Sequence, residues 1–227
     1  MADQYYIDLE QFSLQKFRHI LETKELLPGR RILRENIQER FEIVASMGIT
    51  NLKELVEVLK TKKQVERFSL DSGLPQDYVV LLRREANSYL PKPVNLKDIP
   101  EVDPQHIEGL ASAGIKNTKQ LFDRGRSKSD RAGLSKQTGV PAVDLLELVG
   151  LSDLARISGV GPVFARIIYD AGYDSLARLS DASADEVYEQ LVVLNREKEF
   201  TRARFTEKDV RFCILAAGEL PKVIAFE

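Results

Sequence analysis

The sequence predicts an all-α protein: a tandem array of short helices in about three repeats, with an amphipathic helix in front. Three observations predict it. A shift of 66 positions, without a gap, lays residues 42–51 (EIVASMGITN) over 108–117 (EGLASAGIKN); it also matches Leu55 with Leu121, Lys62 with Lys128, and Gly73-Leu74-Pro75 with Gly139-Val140-Pro141. Chance rarely aligns glycine and proline so consistently, so the chain contains a duplication. The repeated residues are helix stops and starts. Alternating β-branched patterns are nearly absent, and residues 223–226 are the one weak strand candidate.

Taken in order, residues 1–28 hold the leading helix, over 8–26, with Leu9, Phe12, Phe17 and Ile20 inward. The first copy occupies 29–92. Its Gly48 is followed by apolar Ile49, as in a Schellman-type stop, and Asn51 then caps a new helix with Glu54 completing a capping box. Gly73 closes the next helix and Pro75 opens another at its first turn. Pro91-Lys92-Pro93 is the clearest linker. The second copy, 93–150, repeats these signals at Gly114, Asn117, Gln120, Gly139 and Pro141. In the third, 151–227, Ala171-Gly172-Tyr173 answers Ala113-Gly114-Ile115, and Leu176 and Leu179 answer Leu52 and Leu55. Its later part is looser, with residues 206–210 only roughly matching 75–78, and Arg196–Arg204 reads as a long, polar inter-helix loop.

Composition narrows the functional classes. With 33 basic and 35 acidic residues and a net charge of −2, any contact with nucleic acid must be local, because a protein that coats DNA is far more basic. Aromatic residues make up 7% and tryptophan is absent, so base stacking is not the main device. The one cysteine, Cys213, excludes an internal disulfide and a cysteine zinc cluster, and its apolar surroundings read as a buried position. A polar N-terminus without a signal-peptide profile, and the lack of an apolar run of membrane-spanning length, lead to the expectation of a soluble cytoplasmic protein.

Residues Leu154–Gly172 hold the most informative pattern. Leu154 and Ile157 on one side, and Ala165, Ile167 and Ile168 on the other, read as two short helices joined by a turn on Gly159-Val160-Gly161-Pro162. Gly159 suits a left-handed helix stop, Val160 fills the space between the helices, and Pro162 suits a helix start. Such a turn directs free backbone N–H groups outward at a helix N-terminus, where a phosphate can be held without a basic side chain. The pattern resembles the helix-hairpin-helix motif, which usually grips the nucleic-acid backbone without reading sequence. Over roughly residues 30–220 the chain resembles a bacterial family of unknown function built from duplicated helix-hairpin-helix units. Residues Leu154 to Leu179 carry its recurring mark. The resemblance implies the fold, a SAM- or helix-hairpin-helix-like array, and, by analogy with the hairpins of repair proteins, DNA binding.

The copies differ at this turn. The second has Glu101-Val102-Asp103-Pro104, two acids in place of the glycines, and the first has Glu35 and Asn36. Carboxylates there repel a phosphate, so the third turn alone is a candidate: Gly159, Val160, Gly161, Pro162 and Val163, with Arg156 and Arg166 in support. Val163 and Phe164, just after the proline, suit a turn that faces protein instead. Arg156 and Arg166 also read as solvated edges of amphipathic helices, and the two glycines as purely structural. A second basic stretch, Lys116–Lys136, includes Arg124, Arg126 and Lys128 and matches Lys60–Lys63 of the first copy. It reads as a solvated turn or as a groove for an acidic partner.

No catalytic constellation emerges. His19 and His106 have no metal-pair spacing, and no Walker loop, Rossmann fingerprint or nucleophile elbow is present. Acids such as Asp181, Asp185 and Glu186 read as helix-start caps. The expectation is a non-catalytic binding module with no metal, no cofactor, no membrane and no small-molecule substrate. Its partner is DNA, held without sequence specificity, or else another protein on a rigid helical scaffold.

Overall fold

Among the described residues, those from 7 to 90 pack as one unit, and 3–6 with 91–226 as another. The computed structural model describes residues 3–26 and 28–226. Met1, Ala2, Leu27 and Glu227, which belong to the expected first and last segments, lie outside the described residues.

In the first unit, α1 (Leu14–Thr23) leads through a 3-10 helix (Pro28–Arg34) to α2 (Ile37–Ser46), α3 (Leu52–Val58), α4 (Lys62–Ser72) and α5 (Gln76–Asn87). Helix α1 is shorter than the expected 8–26. The Asp8 carboxylate accepts the N–H groups of Glu10 and Gln11 and folds residues 8–11 into a turn. Ser13 then caps the helix by accepting from Lys16 N–H. Phe12 and Phe17 are buried, whereas Leu9 and Ile20 are half-buried. Helices α3 and α4 pack on α5, and α1 on α2, around Phe17, Leu21, Leu52, Leu55 and Leu82. The Glu85 carboxylate is fully buried in this unit and is held by Lys24 and Arg30.

The second unit opens with a 3-10 turn (Leu96–Asp98), then α6 (Pro104–Ser112), α7 (Thr118–Arg124), α8 (Lys128–Thr138), α9 (Ala142–Leu154), α10 (Pro162–Asp170), α11 (Leu176–Ser180), α12 (Ala184–Lys198) and α13 (Glu207–Glu219). Helices α3 and α7, and likewise α4 and α8, lie 66 residues apart at both ends. Helix α10 lies 58 residues past α6, again at both ends. The local devices recur as well. Asn51 and Asn117 cap α3 and α7 through Glu54 and Gln120 N–H. The Glu54 and Gln120 side chains reach one residue further back than a capping box, to the N–H groups of Thr50 and Lys116. Pro75 and Pro141 sit at the cap itself, one position ahead of the first turn. Asp181 ends α11 instead of starting α12, whose first turn does carry Asp185 and Glu186. Among the described residues there is no strand; residues 223–226 run as an irregular tail, with Ala225 N–H donating to Arg126 C=O.

Helix α9 is the centre of this unit. Its residues from Leu148 to Leu154 are all buried, because α7 and α8 cover one side and α10 another. This half of the helix has no solvent face and needs such wrapping, whereas Ala142 and Val143 at its start are exposed. Gly150 permits a close crossing: a Cβ there would sit 2.8 Å from the Asp174 carbonyl oxygen and 2.8 Å from the Tyr169 ring. Among the described residues, no helix is long and apolar enough to cross a membrane.

Gly150→Ala is therefore expected to destabilise the protein by about 1–3 kcal/mol through overpacking. Gly133→Ala, in α8, places its methyl in open space and is expected to add up to about 1 kcal/mol from helix propensity. Thermal denaturation of the two variants should move the midpoint in opposite directions.

Candidate nucleic-acid interface

The second unit builds one turn twice. After Leu96, Asp98 N–H donates to Asn95 C=O and Ile99 N–H to Leu96 C=O; after Leu154, Arg156 N–H donates to Asp153 C=O and Ile157 N–H to Leu154 C=O. The expected first helix at Leu154–Ile157 is thus a single tight turn at the end of α9. A left-handed residue follows in each case, Glu101 at φ 58° and Gly159 at φ 86°. Then come a valine, a cap residue and a proline that starts α6 or α10. In the first unit the left-handed residue, Asn36, is itself the cap of α2, so the two-residue spacer is missing.

The two caps differ in charge and in what fills them. Asp103 accepts Gln105 N–H at 2.8 Å through Oδ1, so a carboxylate of the chain occupies the anion position at the start of α6. Gly161 has no side chain, and no side chain caps α10. The N–H groups of Val163 and Phe164 have no carbonyl acceptor within the helix. Gly159 is exposed, Gly161 to Phe164 are half-exposed, and Val160 is buried with its N–H on Ile157 C=O.

Both turns fall inside one stretch of recognisable sequence. Residues 100–220 match the family described as Domain of unknown function (DUF4332). The chain belongs to this family. No curated protein and no solved structure matches the chain. The DUF4332 region runs from the turn before α6 through α13 and contains the acid-filled and the open cap together.

The arginines expected to support the open turn lie elsewhere. Arg156 is 1% exposed. It donates to the carbonyls of Gln4, Tyr5 and Pro221 at 2.8, 2.9 and 3.1 Å, pairs with the buried Asp153 carboxylate, and stacks 4.4 Å over Phe122. Its donors face the interior, so none is left for a phosphate. The Asp153 carboxylate also takes the Leu176 N–H. Arg166 is 4% exposed. It ties α10 to Pro100 C=O, Glu147 and Asp170. Both residues are internal struts, in place of the expected solvated or phosphate-facing edges. Position in the sequence did not reveal this, because a guanidinium six or seven atoms from the backbone finds acceptors far along the chain.

The basic stretch 116–136 is likewise not a loop. It comprises α7, a turn at 125–127 and α8. Arg124 is exposed but donates to Ala113 C=O and Gln137. Arg126 donates to Gln4 and Asp123 and lies over the Phe122 ring. Arg131 is buried and donates to the carbonyls of Gly125, Arg126 and Ala225. Lys128 is exposed at the first position of α8. Among the described residues, no hydrogen bond or ion pair joins Arg124, Arg126 or Lys128 to the turn at 159–163.

Sequence reasoning passed over the residues that do approach the turn. The Phe164 ring, in the first turn of α10, packs at 5.2 Å against Phe205, and Phe205 at 5.9 Å against Tyr188 of α12. This contact brings the segment between α12 and α13 beside the cap, and it gives Phe164 an intramolecular partner. Lys198, at the end of α12, pairs with Glu101 of the acid-filled turn at 3.4 Å. The available signal was an aromatic just after the proline together with an aromatic closing a basic loop. Elsewhere in the unit, burial pushes the Cys213 thiol up to about 12, as befits an inert packing position. No group of three or more metal-ligating side chains gathers among the described residues.

Arg156→Ala is expected to cost about 3–5 kcal/mol, because it strands the buried Asp153 carboxylate and three carbonyls. Arg178→Ala, which removes an exposed pair with Asp174, should change stability little. Urea unfolding of both variants checks this, and equal midpoints would contradict the role assigned to Arg156.

Proposed function

We propose that this protein is a non-catalytic module that holds the phosphate backbone of nucleic acid, without reading sequence, through a helix-hairpin-helix-type turn at Gly159–Val163. One observation carries the reading. The chain's own Asp103 carboxylate sits at the start of α6 on the same turn, which makes that spot a sound position for an anion. At α10 the same spot is left open by Gly161: no side chain caps the N–H groups there, and residues 161–164 are half-exposed. A phosphate oxygen would supply at α10 what Asp103 supplies at α6. The net charge of −2 fits a local grip with little long-range steering. Arg156 and Arg166 have no part in it.

A second reading, a protein-interaction scaffold, draws on the first unit. There Leu70 is 84% exposed and Val80 and Leu81 line an open groove with Gln76 and Asp77. The apolar pair after Pro162 no longer favours it, since Phe164 is already packed on Phe205.

Gly161→Asp tests the proposal without damage to the fold. Gly161 has φ −88° and ψ −179°, a conformation open to aspartate, and an added Cβ meets nothing within 4 Å. The variant should be stabilised by a few tenths of a kcal/mol, as a glycine cap becomes an aspartate cap, while it fills its own anion site. Fluorescence anisotropy with a labelled duplex and a labelled single strand, at two salt concentrations, should show salt-dependent binding by the wild type and its loss in G161D. No binding by the wild type at low salt, or undiminished binding by G161D, would overturn the reading.

A further inference from the structure

The loop between α12 and α13 carries exposed arginines, and among the described residues no side chain or carbonyl receives them. Helix α12 ends at Lys198, where Glu199 turns left-handed at φ 52°. Asn195 then clips the loop from both sides: its amide donates to Thr201 C=O and its carbonyl oxygen accepts Thr201 N–H, each at 3.0 Å. Thr201 Oγ1 accepts Ala203 N–H, also at 3.0 Å. At the far end Phe205 is half-buried between Phe164 and Tyr188. Between these anchors Arg202, Ala203 and Arg204 are all exposed.

Their environment differs from that of most arginines in the second unit. Arg124, Arg131, Arg156 and Arg166 all donate to main-chain carbonyls. Among the described residues, Arg202 and Arg204 have no hydrogen bond and no ion pair, and neither does the exposed Arg196 at the end of the same helix. The acids of the stretch, Glu197 and Glu199, lie before the Asn195 clip closes, so the part between the anchors carries positive charge alone. A solvated arginine needs no anchored loop to hold it; two of them held in place, two residues apart, suit an external partner with acceptors at a matching interval.

We infer that Arg202 and Arg204 form a second contact on the same nucleic-acid strand as the Gly159–Val163 turn, so that the site takes consecutive phosphates of a polynucleotide and not a single phosphate group. The inference rests on the phosphate reading of the turn. Two lines favour phosphate over the carboxylates of an acidic protein. The Phe205 ring packs on Phe164, whose own N–H is one of the uncapped donors at the start of α10, so the segment that carries the two arginines is anchored beside the turn. Two residues in a non-helical segment span at most about 7 Å, a distance on the scale of successive phosphates along a strand, and the planar guanidinium fork matches phosphate oxygens. Arg196 lies further back, and Lys198 is occupied by Glu101.

The experiment is a salt titration of labelled duplex and single strand with the full chain, its R202A/R204A variant and G161D, with polyglutamate as a competing polyanion. Both arginines are exposed, so R202A/R204A should melt with the wild type. It should bind at least about ten-fold more weakly at low salt, and the slope of log affinity against log salt should fall by about 2. Unchanged affinity and slope in R202A/R204A, while G161D loses binding, would overturn the inference and leave the turn in place. Loss in R202A/R204A with full binding by G161D would support the loop contact and remove the turn. Binding of polyglutamate with no binding of either nucleic acid would overturn both and point to an acidic protein, and no binding of any probe would overturn both as well.

Discussion

Main-chain carbonyls at the ends of short helices need donors, and in this chain arginine supplies them. Each helix leaves its last four carbonyls without an intrahelical partner, and thirteen short α-helices multiply the need. Arg34 reaches Leu21 C=O, Arg40 reaches Ile32 C=O and Arg83 reaches Lys60 C=O in the first unit. In the second, Arg124 and Arg131 do the same for Ala113 and Gly125, and Arg156 and Arg166 extend the device to the turn carbonyls of Tyr5 and Pro100. A guanidinium suits this because five N–H donors on one plane can serve two or three carbonyls that belong to different segments. A charge that touches carbonyls and aromatic rings contributes little to the outer field. The arginines used in this way are therefore not offered to an anion.

The same constraint explains what could be read from the sequence and what could not. Helix stops at Gly48, Gly114 and Gly172 and caps at Asn51 and Asn117 were legible, since each is decided within about six residues by φ and one side-chain hydrogen bond. The duplication was legible for the same reason, because it repeats those local decisions. The leading helix was overdrawn: Leu9, Phe12, Phe17 and Ile20 share helical spacing, but the Asp8 turn and the Ser13 cap override periodicity before Leu14. The fates of Arg156 and Arg166 were illegible, since their partners Tyr5 and Pro100 stand 151 and 66 residues away. At the candidate site the open glycine turn was visible in the sequence. The neighbouring arginines were not, because an edge-to-face pair between Phe164 and Phe205 has no periodic signature.

The two turns of the DUF4332 region show how a duplicated element divides its tasks. The turn at Glu101–Pro104 is closed: its cap is satisfied by Asp103, its left-handed residue by an ion pair with Lys198, and its carbonyl at Pro100 by Arg166. The turn at Gly159–Pro162 keeps the backbone path and leaves the cap empty. One copy supplies structure to the other, since Arg166 of α10 is the donor that fastens the closed turn. In this way one turn keeps an open cap while its sibling, with its cap filled, is tied to the helix that follows the open one.

Helix α9 belongs to two repeats at once. Its body answers α5 of the first copy, while its last residues, from Asp153 on, repeat the turn that precedes α6 and form the lead-in to α10. The boundary expected from the sequence at residue 151 therefore falls inside α9 and not in a linker. No cut near residue 151 yields two self-sufficient pieces: one would lose the wall on which α10 rests, the other the buried faces of α7 and α8. The helices on both sides of residue 151 thus share one wall, and the second unit has no seam at the point where the sequence pattern starts afresh.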